Sequence, residues 1–367
     1  MTILGLDTVI FLSILFLVSA SSDMEVLSTV RKSLIRRKDM IPSWFYPEIP
    51  VCNLTGVECR GMDVFGVNLP CSSSPLDLPF PSSIGELKHL KYLNLSQCGL
   101  TGEIPDNIWS LENLEILDLS GNVLSGTFPL SLPNLENLRV LVLDGNSLSG
   151  HLPSTIGLLT GLIELSLQEN SFSGNLPSEL GNLLKLESLD LSKNSFSGVL
   201  PSSLGELTSL LFFDASHNKL SGPIFSGFGN LTGLRKLDLS GNAITGPIPV
   251  DIGKLTNLTS IVLEDNRITG VIPSSISNLR ELQVLNIQNC RLTGAIPKEL
   301  TELSNLIYLN IGHNSFIGEL PASLGKLSSL VNLLLLEVEA FRPFLQLLFW
   351  SVTGWSCWVG INSISDA

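Results

Sequence analysis

Basic residues are scarce in this chain: 21 lysines and arginines stand against 34 acidic residues, which gives a formal net charge of -13. The longest basic runs are Arg31-Lys32 and Arg36-Arg37-Lys38. These runs are too short to form the positive patch that a phosphate backbone requires. We therefore exclude nucleic acid as a partner.

The residues that build metal and catalytic sites are also few. The four histidines (His89, His151, His217 and His313) are far apart, and no C-x-x-C occurs among the six cysteines. Neither pattern supports a zinc or other metal site. The sequence accordingly predicts no catalytic residue, no cofactor, no metal ion and no small-molecule substrate.

The N-terminus has a short apolar stretch from Val9 to Val18 that ends on Val18-Ser19-Ala20. Small residues at this point are typical of a signal peptidase site. The stretch is too short to span a bilayer comfortably. We therefore interpret residues 1–20 as a signal peptide.

Cysteines and sequons also favour an extracellular compartment. Cys52 and Cys59 lie seven residues apart in a loop-rich stretch, and this spacing predicts a local disulfide in an oxidising environment. Four N-x-[ST] sequons agree with passage through the secretory pathway. Their asparagines are Asn53, Asn94, Asn230 and Asn257. The sequence predicts a secreted or cell-surface protein.

The dominant feature is a 24-residue repeat, L-x-x-L-x-L-x-x-N, that recurs ten times without an insertion. Glycine follows the Asn position by four residues every time, and proline comes three residues later in nine of the ten repeats, with Phe225 as the exception. Such periodicity predicts a stacked solenoid with one continuous core. The ten Asn positions hold Cys98, Asn122, Asn146, Asn170, Asn194, Asn218, Asn242, Asn266, Cys290 and Asn314.

Each conserved type in the repeat has a physical role. The leucines are expected to point inward from a short strand, and the buried Asn amide to satisfy backbone groups at the corner that follows. The glycine suits a corner with positive φ. Cys98 and Cys290 occupy Asn positions eight repeats apart, so they cannot meet. We predict that both are buried free thiols.

The pattern divides the chain into five segments. Apolar residues at helical spacing predict a capping helix over Asp23–Lys38. The segments are a signal peptide (1–20), an N-terminal cap (21–65), an irregular half repeat (66–90), ten repeats (91–330) and an aberrant hydrophobic tail (331–367).

The repeat pattern fails in the tail. Val338 stands where Asn is due and Arg342 where Gly is due, and residues 344–361 carry no charge. As a membrane helix this stretch is marginal, because polar residues dilute it. We interpret the tail as a truncated or mis-spliced end, and expect it to be poorly ordered and aggregation-prone.

Side chains that flank the inner leucines should face solvent on the concave side of the sheet. The Leu-Asp-Leu-Ser sequence is a common filling of this repeat, so a single aspartate there is a weak signal. Exposed aromatic residues are typical binding anchors. The predicted ligand-binding residues are Tyr92, Asp118, Glu164, Gln168, Phe212, Asp214, His217, Lys236 and Tyr308.

The repeat form L-x-x-L-x-L-x-x-N-x-L-[ST]-G-x-[IL]-P resembles the plant-specific class of leucine-rich repeats. Trp44-Phe45, followed by the Cys52 to Cys59 segment, is similar to the N-terminal cap of plant receptor-like kinases. Phe212 to Asn218 and Gly222 to Phe225 resemble the anther cell-fate (multiple-sporocyte) receptor kinase group. The resemblance extends from residue 1 to the region of residue 336.

The resemblance implies an α/β repeat solenoid: a right-handed superhelix with a concave parallel β-sheet and convex 3₁₀ or irregular segments. It also implies a receptor ectodomain that binds a secreted peptide or small protein, with a co-receptor kinase as a candidate second partner. Full-length members of the group lie in the plasma membrane. The kinase motifs of the family are absent from this sequence, so the chain is not predicted to be an enzyme. The alternative is a soluble cell-wall inhibitor of a secreted enzyme, similar to the polygalacturonase-inhibiting proteins.

Overall fold

A computed structural model describes residues 22–34, 42–69, 71, 78–130 and 135–335. The predicted signal peptide and the part of the tail beyond residue 335 lie outside these residues. Among the described residues, no helix is both long and apolar enough to cross a membrane. The sheet continues to Leu334, which is four residues into the segment assigned to the tail.

The leucines at positions 1, 4 and 6 of the L-x-x-L-x-L motif build the core behind one long sheet. Each repeat contributes a strand of three residues, and successive strands pair in parallel with a register of 24, as Leu189 with Phe213. The sixth-position leucine that follows each strand is buried, for example Leu191. Each fully buried leucine stabilises the fold by ~1.5–3 kcal/mol.

Thirteen strands form this sheet within the described part of the chain, all parallel except the first pair. They are β1 (Val57–Arg60), β2 (Asp63–Asn68), β4 (Tyr92–Asn94), β6 (Ile116–Asp118), β8 (Val140–Val142), β10 (Glu164–Ser166), β12 (Ser188–Asp190), β14 (Phe212–Asp214), β16 (Lys236–Asp238), β18 (Ser260–Val262), β20 (Val284–Asn286), β22 (Tyr308–Asn310) and β24 (Asn332–Leu334).

A second row of short strands follows the Asn positions, where only 3₁₀ or irregular backbone was expected. These strands form three small parallel sheets. They are β3 (Leu78–Pro79), β5 (Leu100–Glu103), β7 (Val123–Ser125), β9 (Ser149–His151), β11 (Ser171–Asn175), β13 (Ser195–Val199), β15 (Lys219–Pro223), β17 (Ala243–Thr245), β19 (Thr269–Gly270), β21 (Arg291–Gly294) and β23 (Ser315–Phe316).

The convex side carries 3₁₀ turns, as the resemblance implied, and nine of the ten repeats have one within the described residues. Proline precedes each turn of the repeats and fixes an extended backbone there; Phe225 replaces it at one position with a similar φ of -71°. The 3₁₀ segments are η1 (Val51–Asn53, in the cap), η2 (Ser82–Glu86), η3 (Asp106–Ser110), η4 (Ser154–Leu158), η5 (Ser178–Asn182), η6 (Ser202–Glu206), η7 (Ser226–Asn230), η8 (Val250–Lys254), η9 (Ser274–Asn278), η10 (Lys298–Glu302) and η11 (Ala322–Lys326).

The buried asparagines form a ladder of hydrogen bonds between repeats. The Asn218 Oδ1 accepts a hydrogen bond from the Phe196 N–H at 2.9 Å. Its Nδ2 donates to the carbonyl of Leu191 in the preceding repeat at 2.9 Å and to that of Ala215 at 3.2 Å. The same three partners recur at the other Asn positions, for example at Asn122. The amide therefore satisfies backbone groups that the strands leave unpaired.

The N-terminal cap closes the open end of the core. It contains α1 (Asp23–Leu34), the short α2 (Pro42–Phe45) and the β1–β2 hairpin, which extends the main sheet. Arg31 of α1 is buried, and its Nε donates to the Trp44 carbonyl at 2.7 Å. The predicted Cys52–Cys59 disulfide is confirmed.

The prediction that Cys98 is a free thiol is wrong. Cys98 forms a disulfide with Cys71, with their Cα atoms 4.8 Å apart. The ladder supplies the reason: each Asn position reaches the residue 27 places earlier in the chain, as Asn122 reaches Leu95. For Cys98 that residue is Cys71. Cys290 reaches the Leu263 carbonyl in the same way, and it is buried and free as predicted.

Candidate functional site

The concave sheet face is the surface formed by the first and third residues of strands β4 to β22. Their side chains point away from the leucine core because successive side chains along a strand alternate between faces. The strands repeat at ~4.8 Å. The ten strands therefore offer a long surface for a partner.

An aromatic and two charged side chains meet at the middle of this face. Phe212 begins β14 and is 45% exposed. Lys236 begins β16 and pairs in register with Phe212. The Lys236 Nζ lies 3.9 Å from the Asp214 Oδ2. We call Phe212, Asp214 and Lys236 the central cluster; all three were predicted from the sequence.

Three aspartates lie side by side on this face, each as the third residue of its strand. Asp190, Asp214 and Asp238 are in register on β12, β14 and β16. Burial raises the pKa of Asp190, and repulsion from Asp214 adds to the rise, while Lys236 acts in the opposite direction. Asp190, next to the central cluster, therefore carries a partly desolvated carboxyl group, and Lys236 is the basic group that acts on it.

The aspartate or asparagine that ends a strand of this sheet also has a structural role. The Asp118 Oδ1 accepts hydrogen bonds from the Ser120 N–H at 3.0 Å and from its hydroxyl at 2.7 Å. Asn94 accepts the same pair of bonds from Ser96. In each case one side-chain oxygen, of the Asp118 carboxylate or of the Asn94 amide, therefore holds the bend after the strand. Asp118 is mainly explained by this local role, whereas Asp214 Oδ2 also faces Lys236.

Sequence reasoning missed Asp144, which follows β8. Its Oδ1 accepts hydrogen bonds from the Ser166 hydroxyl at 2.6 Å and from the Gln168 N–H at 2.8 Å. Burial raises the pKa of Asp144 in spite of these bonds. Gln168, a predicted binding residue, is thereby fixed to the preceding repeat. In the sequence, Asp144 stands directly after the last leucine of its motif, where several other repeats have serine. This difference could have indicated a special role for Asp144.

His217 lies at the rim of the face, where the residue before each Asn position adopts positive φ. Its φ is 53°, and the same conformation occurs at Lys193, Gly241 and His313. His217 is exposed, and a Cβ added to Gly241 of the next repeat would lie 2.6 Å from its Nδ1. The imidazole therefore packs over the neighbouring glycine and borders the central cluster.

The remaining predicted residues lie at a distance from the central cluster. Tyr92 is 38% exposed on β4, five strands and therefore ~24 Å away. Glu164 begins β10, two strands away, and is half-buried. Tyr308, expected to be exposed, is half-buried, and its hydroxyl accepts a hydrogen bond from Asn310 at 3.4 Å. The structure thus separates the nine predicted residues into one cluster and several outlying positions.

The four sequon asparagines occupy different surfaces. Asn53 ends η1 and Asn230 ends η7, and both are exposed. The Asn257 Nδ2 donates a hydrogen bond to the Thr232 carbonyl at 2.8 Å. Asn94 is half-buried on the concave face. Glycosylation at all four remains a prediction, and a glycan on Asn94 would cover the N-terminal edge of the face.

Three family models match the chain, and each describes leucine-rich repeats. A leucine-rich repeat region matches residues 79–173. A leucine rich repeat matches residues 256–316, and a third model of the repeat matches residues 185–207, 209–231 and 233–255.

Two curated relatives are rice receptor kinases from Oryza sativa subsp. japonica. The chain is 45% identical over 84 residues to the leucine-rich repeat receptor protein kinase MSP1, and 44% identical over 84 residues to MSL1. Each match covers 23% of this chain and 6% of the relative. The resemblance to plant receptor kinases of the multiple-sporocyte group is confirmed.

Among solved structures, the PEPR1–AtPEP1 complex is similar with a TM-score of 0.74 and 34% identity, covering 86% of this chain and 48% of that chain. The Arabidopsis receptor kinase HAESA, in complex with the peptide hormone IDA and the co-receptor SERK1, has a TM-score of 0.59 and 32% identity over 86% of this chain and 61% of that chain. A plant ice-binding protein has a TM-score of 0.67 and 26% identity over 81% of this chain and 95% of that chain. The predicted fold class is confirmed.

Proposed function

Because this chain belongs to the leucine-rich repeat family and its curated relatives are plant receptor kinases, we propose that it is the ligand-binding part of a receptor. The ligand is a secreted peptide or small protein that lies across the concave face, and a co-receptor kinase is the candidate second partner. The corresponding location is secreted or at the cell surface. The chain spans about half of the PEPR1 chain it resembles (48%).

The central cluster is the observation that carries this proposal. A phenylalanine that is 45% exposed and a lysine 49% exposed at its side chain stand together on a rigid strand pair. Large exposed aromatic side chains bordered by charges are typical of binding hot spots. The similar solved structures include the receptor kinase HAESA in complex with a peptide hormone and a co-receptor. An extended peptide could place an apolar side chain against Phe212 and polar groups against Asp214 and Lys236.

The test is to select binding peptides from a display library of random sequences against the full chain, and then to measure their dissociation constants for variants. Phe212→Ala and Lys236→Ala should each weaken binding at least ~10-fold, as hot-spot truncations do. Leu184→Ala and Lys254→Ala are the matched controls on the convex side. Leu184 is 58% exposed, and Lys254 pairs with Asp251 at 3.0 Å.

All four side chains face solvent, so thermal unfolding of each variant should stay close to that of the unaltered chain. The proposal fails if the selected peptides bind Phe212→Ala as tightly as the unaltered chain. It also fails if the convex controls lose binding while the central-cluster variants keep it.

A further inference from the structure

Three possible metal ligands from separate segments converge where the N-terminal cap meets the half repeat. Asp23 is the first residue of α1, Asp63 is the first residue of β2, and His89 follows η2 in the half repeat. The ligand atoms of these residues, two carboxylate oxygens and one imidazole nitrogen, all lie within 4.8 Å of one another. Sequence spacing does not indicate this group, because its members are 40 and 26 residues apart (63 − 23 and 89 − 63).

Two of the three distances within the group match the geometry that zinc requires. The His89 Nδ1 lies 3.3 Å from the Asp23 Oδ2 and 3.6 Å from the Asp63 Oδ1. Zinc binds nitrogen and carboxylate oxygen at ~2.0–2.2 Å in a tetrahedron, so the edge between two ligand atoms is ~3.3–3.6 Å. The third distance, between the two carboxylate oxygens, is within 4.8 Å, so a small side-chain movement would let one ion contact all three atoms.

The charges also favour a divalent cation. The Asp23 side chain is only 9% exposed, and a buried carboxylate is costly unless it is paired. Among the ion pairs of the described residues, Asp23 and Asp63 pair only with His89. The imidazole supplies at most one positive charge for two carboxylates. A divalent ion would balance both.

The group is also oriented from outside, as metal ligands commonly are. The Asp23 Oδ2 accepts a hydrogen bond from the Val64 backbone N–H at 2.8 Å, which holds this carboxylate toward the hairpin. On the other side, the His89 ring lies beside Phe65, with their centroids 6.2 Å apart. These contacts restrict both side chains before any ion arrives.

We propose that Asp23, Asp63 and His89 bind one zinc ion, which joins α1 and the β1–β2 hairpin to the half repeat. Imidazole with two carboxylates suits zinc better than calcium or magnesium, which prefer oxygen ligands alone. Water completes the tetrahedron, because the Asp63 and His89 side chains are half exposed. The ion would hold the cap on the open end of the solenoid.

Native mass spectrometry and calorimetric titration of the full chain with zinc at neutral pH test the proposal. We expect one zinc ion per chain and a rise in the midpoint of thermal unfolding, since an ion that binds only the folded state stabilises it. Asp63→Asn and His89→Gln should each raise the zinc dissociation constant at least ~10-fold. Neither should disturb the fold, which near-ultraviolet circular dichroism checks.

Asp106→Asn and His151→Gln are the matched controls, because both residues are exposed and lie in later repeats. Binding that is lost in the two site variants but kept in the two controls supports the site. Two results would overturn it: no zinc uptake by the unaltered chain, or equal uptake by all four variants. Either result would show that Asp23, Asp63 and His89 form an ion pair only.

Discussion

Replacing Asn218 by alanine should destabilise the chain mainly because the backbone N–H of Phe196 loses its hydrogen-bond acceptor. Of the partners of Asn218, the Leu191 carbonyl keeps a bond from the Asn194 Nδ2, and the Ala215 carbonyl keeps one from Asn242. The buried Phe196 N–H would lose its acceptor, since it donates its hydrogen bond to the Asn218 Oδ1. Leaving one buried donor unsatisfied costs ~1–3 kcal/mol.

The loss of the 2.9 Å bond to Leu191 adds ~1 kcal/mol. We therefore expect Asn218→Ala to lower the free energy of unfolding by ~2–4 kcal/mol. Urea denaturation followed by circular dichroism measures this, with an unchanged slope if the two end states are unaltered.

Two variants bracket the expected result. Asn218→Cys should cost less than Asn218→Ala, because Cys290 naturally fills the same position with its Sγ 3.3 Å from a carbonyl. Asn182→Ala, at an exposed position, should stay within ~0.5 kcal/mol of the unaltered chain. The reasoning is refuted if Asn218→Ala costs no more than Asn182→Ala.

The remaining predictions concern cysteines and one aspartate. Replacing Cys71 and Cys98 together by serine should lower the free energy of unfolding by up to ~3.5 kcal/mol, because their disulfide closes a loop across a 27-residue separation. A decrease below a few tenths of a kcal/mol in urea denaturation would contradict this. Cys290 should resist alkylation in the native chain at pH 8, because burial raises the pKa of its thiol to about 12; fast labelling before unfolding would contradict it. Asp190→Asn should stabilise the chain at pH 7. Because burial raises the pKa of Asp190 in the folded state, its contribution to stability is present below the unfolded pKa and is lost as pH rises through the folded one. The gain should shrink toward pH 4 in denaturation measured across this range; a destabilised variant at pH 7 would show that the hydrogen bonds from Ser192 and the attraction of Lys236 together outweigh burial.

The central cluster shows how much of the candidate binding site the repeat pattern can predict. The pattern predicted which side chains leave the sheet, because the strand phase follows from the leucine positions. It therefore placed Phe212, Asp214 and Lys236 on one face correctly. It could not predict that Tyr308 is half-buried, because exposure at that position depends on Asn310 two residues later and on its hydrogen bond to the tyrosine hydroxyl.

The sequence by itself determined the solenoid, its 24-residue register and the position of every inner leucine, because each repeat contacts its neighbours in the same way. Only the tertiary structure decided what happens where the period is broken. The Cys71–Cys98 disulfide depends on the reach of an Asn position to the residue 27 places earlier. The approach of Asp63 to His89 depends on how the cap docks onto the half repeat. The 27-residue reach recurs at the Asn positions, but Cys71 lies outside the ten repeats and the approach of Asp63 to His89 does not follow the period. The repeat pattern alone therefore predicted neither contact.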